Sequence, residues 1–121
     1  MKNIKLLAFV LIVILSACNK DDEDSSNVCD IENPLEDLTW LKDIKRTFDL
    51  NQSPQREQII QYRYHGDDVF LIDACFQCPD AITYVRDCEG EIICEFGGIA
   101  GMNTCPDFDQ DATNEIILYD N

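Results

Sequence analysis

The alternation of apolar and polar positions divides this chain into three regimes. Leu6 to Leu15 is an unbroken apolar run. Asn19 to Asn27 contains no apolar residue. From Cys29 onward the two classes alternate with the periods of regular secondary structure. Asn33-Pro34-Leu35-Glu36 reads as a helix start: an Asn to cap free amides, a Pro at the first helical position and an acid in the first turn. Leu38, Leu41, Ile44 and Phe48 then recur at helical spacing, with Trp40 at the edge of the stripe. A helix is expected from Leu35 to Phe48. Lys45 and Arg46 fall near its C-terminal end, where the helix dipole favours positive charge, and Asn51 to Pro54 form a loop.

Strand patterns follow. Ile59 to Tyr64 is β-branched and aromatic, with Ile60, Tyr62 and Tyr64 on one face. His65 to Asp68 reads as a turn. Val69-Phe70-Leu71-Ile72 is continuously apolar, as expected of a strand covered on both faces. Ile82 to Asp87 and Ile92 to Phe96 are strands joined by a turn at Cys88-Glu89-Gly90-Glu91, and Glu115 to Tyr119 is a last strand. The expected architecture is α+β: one N-terminal helix packed on a small antiparallel sheet of about five strands.

The first two regimes concern targeting. Lys2 and Lys5 precede the apolar run, which is too short to span a bilayer as a helix, a task needing roughly 20 residues. A basic start, a short apolar stretch and small residues before a cut describe a secretory signal peptide over residues 1–17. Leu15-Ser16-Ala17-Cys18 resembles the bacterial lipobox, which implies cleavage before Cys18 and lipid attached to it. Residues 18–28 then form a lipidated acidic tether, because a segment without apolar side chains cannot offset its ordering entropy by burial. Cys18-Asn19-Lys20-Asp21-Asp22 resembles the signal that sends Bacteroidota lipoproteins to the outer face of the outer membrane. A plain spacer facing the periplasm is the alternative. Residues 29–121 are left for a single small domain.

Charge narrows the partners. The chain carries 24 acidic and 9 basic residues, for a net charge of −15. Every acid lies beyond residue 17, whereas Lys2 and Lys5 leave with the signal, so the mature part is more negative still. Such a surface repels nucleic acid, whose binding relies on Lys and Arg neutralising phosphates. The membrane is expected to be met through lipid on Cys18, and the further partner to be a protein or a glycan.

Apart from Cys18, the cysteines are Cys29, Cys75, Cys78, Cys88, Cys94 and Cys105. An even number in a small exported domain reads as a disulfide framework whose connectivity the sequence leaves open. Cys88 and Cys94 flank a turn and are expected as cross-strand neighbours. Cys29 precedes the helix and has only distant partners.

A wider resemblance lies in "NPLEDLTWLKDI", "CFQCPD", "DCEGEIICEFGGIAG" and "TCPDF". Together these are similar to a group of small, cysteine-bearing Bacteroidota lipoproteins classed as a domain of unknown function. The resemblance implies an envelope location and a single domain, and it brings no catalytic residues.

Several chemistries remain to be weighed. Cys75-Phe76-Gln77-Cys78 is a CxxC pair, but Pro79 follows it, so it does not open a helix that lowers a thiol pKa. A structural disulfide is the plainer reading and a thiol–disulfide redox site the alternative. Cys75, Cys78, Cys88 and Cys94 lack the repeated short spacing of a zinc site. Asp107, Asp109, Asp111 and Glu115 place oxygens at alternating positions, as calcium loops do, but Ala112 and Leu118 stand where the standard loop needs Gly and Glu. A solvated acidic loop is the plainer reading there and a looser calcium site the alternative. Gly97 to Gly101 lacks the Lys of a phosphate loop, and the lone His65 sits in a turn. The serines beyond the signal, Ser25, Ser26 and Ser53, lack the strand–turn setting of a nucleophile. The expected function is therefore non-catalytic and needs no cofactor: a disulfide-stabilised interaction or accessory module, in one version a protease inhibitor presenting Gly97 to Cys105. A redox protein using Cys75 and Cys78, and a calcium-dependent binder, are the alternatives.

Overall fold

The computed structural model describes residues 28–121. The expected signal peptide, the expected lipidation site Cys18 and the expected tether through Asn27 lie outside the described residues. After a short 3-10 turn at Val28–Asp30, the expected single helix is divided into α1 (Pro34–Asp37) and α2 (Thr39–Asn51). Leu38 between them is extended, at φ −86° and ψ 106°. Asn33 caps through its backbone rather than its side chain. Its carbonyl accepts from the amides of Glu36 and Asp37, and its own N–H donates to Asp37 Oδ2 at 3.1 Å. The α2 helix continues to Asn51 and ends at Gln52 in the left-handed conformation, so Asn51 belongs to the helix rather than to the loop. Lys45 is thus interior and bonds Asp49 one turn on, at 2.7 Å.

The sheet has six strands rather than five: β1 (Gln58–Tyr64), β2 (Asp67–Asp73), β3 (Ile82–Arg86), β4 (Ile92–Gly97), β5 (Met102–Asn103) and β6 (Thr113–Asp120). All pairs are antiparallel, and the order is β5-β4-β3-β2-β1-β6. The chain meanders from β1 to β5 and then returns to lay β6 beside β1. His65 and Gly66, at φ 49° and 85°, form the two-residue link of the β1–β2 hairpin. Positive φ at both central residues is the turn geometry that matches strand twist, so Asp67 and Asp68 belong to β2 instead of the turn.

Both sheet faces are covered, each over a small core. Ile59, Phe70 and Ile72 meet Leu41 and Phe48 of α2 on one face. Leu41, Ile59 and Phe70 have no exposed surface. On the other face Tyr64, Val69, Val85 and Cys94 meet Cys105 and Phe108 from the C-terminal coil and α3 (Phe108–Asp111). This explains the unbroken apolar run of β2: Val69 faces the coil, and Phe70 faces the helix. Among the described residues no helix is long and apolar enough to cross a membrane.

Candidate functional site

Each disulfide fastens a different part of this architecture. Cys29–Cys88 joins the segment before α1 to the β3–β4 turn, with Cα atoms 5.6 Å apart. Cys94–Cys105 fastens the C-terminal coil to the sheet, also with Cα atoms 5.6 Å apart. Cys75–Cys78 closes the β2–β3 connection on itself. The expected proximity of Cys88 and Cys94 is corrected by strand parity. Cys94 pairs with Val85 in register and points to the coil side, whereas Cys88 lies beyond the end of β3 and meets the helix side. The distant partner of Cys29 is Cys88, and the four cysteines considered for zinc fall into three separate bridges.

The Cys94–Cys105 bridge also frames the Gly97–Cys105 segment. Gly98 to Gly101 form a turn closed by a bond from the Gly101 amide to the Gly98 carbonyl at 3.1 Å. Gly97 has φ 105°, and a Cβ there would lie 2.5 Å from the Ala81 carbonyl oxygen, so only glycine passes this point. Below the turn, the Glu95 amide donates to Thr104 Oγ1 at 2.9 Å, and the Thr104 amide donates to the Glu95 carbonyl at 3.0 Å. Ile99 stands at the tip and is 88% exposed.

The acidic constellation does not converge as an alternating loop. Asp107 immediately precedes α3, and Asp111 ends it. Residues four apart on a helical turn share a face, and the residue midway between them points elsewhere. Asp107 and Asp111 therefore meet His65 at the β1–β2 turn. Its Nε2 lies 3.1 Å from Asp107 Oδ2 and 3.1 Å from Asp111 Oδ2. The other oxygen of Asp107 accepts from the Tyr64 hydroxyl at 2.7 Å, and the Tyr64 ring stacks on His65 with centroids 3.9 Å apart. The shared proton pushes the Tyr64 hydroxyl up to about 12 and holds the Asp107 carboxyl below the usual carboxylate range.

Glu115 instead accepts from the Tyr62 hydroxyl at 2.6 Å. Burial, and then that bond, push the Tyr62 hydroxyl up, with the charge of Asp109 as the last contributor. The four residues of the alternative calcium reading are thus split into two pairs, and His65, expected only as a turn residue, stands with the first. No local signal marks it: His65 is 46 residues from Asp111. An imidazole nitrogen and two carboxylate oxygens facing one point are donors for a cation.

Tyr64 and His65 also line a cleft of about 440 Å³ between the β1–β2 and β3–β4 turns, with Asp68, Asp87 and Glu89 among its other walls. Its one arginine, Arg63, is engaged by Asp68 at 3.0 Å.

Neither the curated proteins nor the solved structures give a match. A family model described as "Domain of unknown function (DUF6970)" matches residues 45–121, which contain the second half of α2 and the whole sheet, and the chain belongs to that family.

Proposed function

We propose that this protein is a non-catalytic cell-envelope module, anchored through lipid on Cys18 and built to present a disulfide-framed loop to a protein partner. The observation that carries this reading is the Cys94–Cys105 bridge beneath a turn whose tip residue, Ile99, is 88% exposed. An apolar side chain held out on a braced loop loses little conformational entropy on binding, which favours recognition of a pocket. A protease inhibitor is the concrete form: Ile99 enters a small apolar specificity pocket of an elastase-like enzyme. The pairing of all cysteines among the described residues supports an oxidising compartment. The Leu15-Ser16-Ala17-Cys18 lipobox and the acidic residues after it support an outer-membrane lipoprotein of Bacteroidota type.

The test is a titration of the oxidised protein against elastase-like proteases with a chromogenic substrate. Stoichiometric inhibition that is lost in Ile99→Asp is the expected result. Cleavage of the Gly98–Gly101 turn with no inhibition would sink the inhibitor form.

A second reading concerns Cys75–Cys78. The bridge lies in a loop, and both of its cysteines are half-buried rather than in either core. In this reading the disulfide accepts two electrons from a partner dithiol, whose own sulfurs become a disulfide while Cys75 and Cys78 become thiols. Catalysis of insulin reduction by dithiothreitol, abolished by replacing both cysteines with serine, is the expected signature. A rate equal to that of dithiothreitol alone removes this reading.

A further inference from the structure

We propose that His65, Asp107 and Asp111 form a binding site for a divalent transition-metal ion of the zinc class. This inference is independent of the presented loop and of the CxxC bridge. His65 Nε2 and one carboxylate oxygen from each aspartate lie within 4.8 Å of one another. Zinc holds nitrogen and oxygen ligands at about 2.0–2.2 Å, which places neighbouring tetrahedral ligands roughly 3.3 Å apart. The two observed nitrogen–oxygen separations, 3.1 Å each, stand close to that edge. An ion therefore enters with small side-chain adjustments.

The directionality of imidazole adds to the distances. Nε2 has a single in-plane direction, holding one hydrogen or one lone pair. An N–H there bonds Asp111 Oδ2 and leaves Asp107 Oδ2, at the same distance, with at best a shared and weaker bond. A metal ion on the lone pair satisfies the nitrogen and both oxygens together and neutralises the two facing charges.

The surroundings orient the ligands. Tyr64 donates to Asp107 Oδ1 and leaves Oδ2 directed at His65. The same Tyr64 ring, stacked on the imidazole, fixes its plane. Outer contacts of this kind set the orientation of metal ligands and tune their affinity. The two aspartates come from one face of a helical turn and the histidine from a two-residue hairpin link, so neither set depends on a long loop. Imidazole favours zinc, copper and nickel over calcium and magnesium, which prefer all-oxygen sites. The donor set thus assigns the cation to a different class from that suggested by the acidic spacing alone. Water fills the remaining coordination positions.

The chain has a single histidine, so its ring resonances report this site without overlap. The experiment is a titration of the oxidised protein with Zn²⁺, and separately with Ca²⁺, followed by calorimetry and by NMR of the His65 ring nitrogens. We expect one Zn²⁺ bound per chain, a shift of the Nε2 resonance, and Ca²⁺ unable to displace it at equal concentration. Asp111→Asn is expected to weaken Zn²⁺ binding at least tenfold and Asp109→Asn to leave it unchanged. Tyr64→Phe keeps the ring and removes the hydroxyl, and costs about tenfold in affinity. His65→Asn removes the imidazole while an Asn tolerates the left-handed backbone of the turn, and it abolishes tight binding. An unmoved His65 resonance at saturating Zn²⁺ overturns the proposal. Equal weakening by Asp109→Asn and Asp111→Asn overturns it as well, since that is the behaviour of a diffuse acidic surface.

Discussion

The indole N–H of Trp40 donates to the carbonyl of Cys88 at 3.0 Å, joining residues 48 positions apart. Gly90 lies under the same ring, and its φ is +85°. A Cβ at position 90 would stand 2.8 Å from Trp40 Cγ. The ring also meets Phe70 edge to face, with centroids 5.6 Å apart. One side chain of α2 thus locks the β3–β4 turn, the Cys29–Cys88 bridge and the centre of the sheet into one arrangement.

Gly90→Ala is expected to cost about 1–3 kcal/mol, because it combines overpacking against Trp40 with an unfavourable backbone angle. Trp40→Phe leaves the Cys88 carbonyl without its donor and is expected to cost about 1–3 kcal/mol. Urea denaturation checks both. For Gly90→Ala the fluorescence of Trp40, the only tryptophan, provides the signal, and circular dichroism serves for Trp40→Phe.

Replacing each disulfide in turn with paired alanines should rank stability by the loop that is released. The sequence separations are 59 for Cys29–Cys88, 11 for Cys94–Cys105 and 3 for Cys75–Cys78. Chain entropy gives expected losses of about 4, 3 and 2 kcal/mol in that order. Denaturant midpoints measure the ranking. Cys94 and Cys105 are also buried, 2% and 9% exposed, so any excess over the entropic value is expected at that bridge.

Acid is expected to destabilise the fold through a defined set of carboxylates. Arg56 donates to both oxygens of Asp120, through Nε at 2.7 Å and Nη2 at 2.5 Å, and holds the Asp120 carboxyl near a pKa of about 2. The bonds from Tyr64 to Asp107 and from Lys45 to Asp49 lower those carboxyls as well. A carboxyl whose pKa is lower in the folded than in the unfolded chain contributes stability above its unfolded value, about 3.9. That contribution fades as pH falls through the folded value. Thermal melts should therefore lose stability between about pH 4 and pH 2, and Asp120→Asn should flatten this decline. Glu57 acts in the opposite direction. It is only 3% exposed, and burial raises its carboxyl pKa, so protonation relieves part of its cost as the solution is acidified.

Alkaline titration followed at the tyrosinate absorbance should show Tyr64 ionising at about pH 12 rather than at the ordinary value near 10. The folded state holds this proton more tightly, so the stability it contributes is complete below about pH 10 and lost as pH rises through the folded value. Asp107→Asn removes the charged acceptor and is expected to return Tyr64 toward the ordinary value.

The elements legible in the sequence are those with a repeating local pattern. Leu41 and Phe48 mark the buried stripe of α2, and the unbroken Val69–Ile72 run marks a strand buried on both faces. Features set by parity or long-range approach are not legible in this way. The β5 strand has only two residues in a glycine-rich stretch, and α3 is a single turn, so neither completes a period. The bridge from Cys94 to Cys105 follows from which face Cys94 occupies, a fact fixed by register against Val85. The acids at 107 and 111 are visible as candidates, but the same spacing pattern suggests Asp109 and Glu115 with equal force. Only the helical turn at Phe108–Asp111 separates them, and only the return of the coil to the hairpin brings His65 near.

The β6 strand lies against β1, and Asn121 extends that pairing. Its side chain accepts from the Glu57 amide at 2.7 Å and donates to the Glu57 carboxylate at 3.0 Å. The first strand to emerge from a ribosome therefore waits for the last before its outer edge is covered. A chain delivered from N to C cannot complete this sheet until Thr113–Asp120 has cleared the exit. Closure of the sheet is thus a late, long-range event in the folding of this chain.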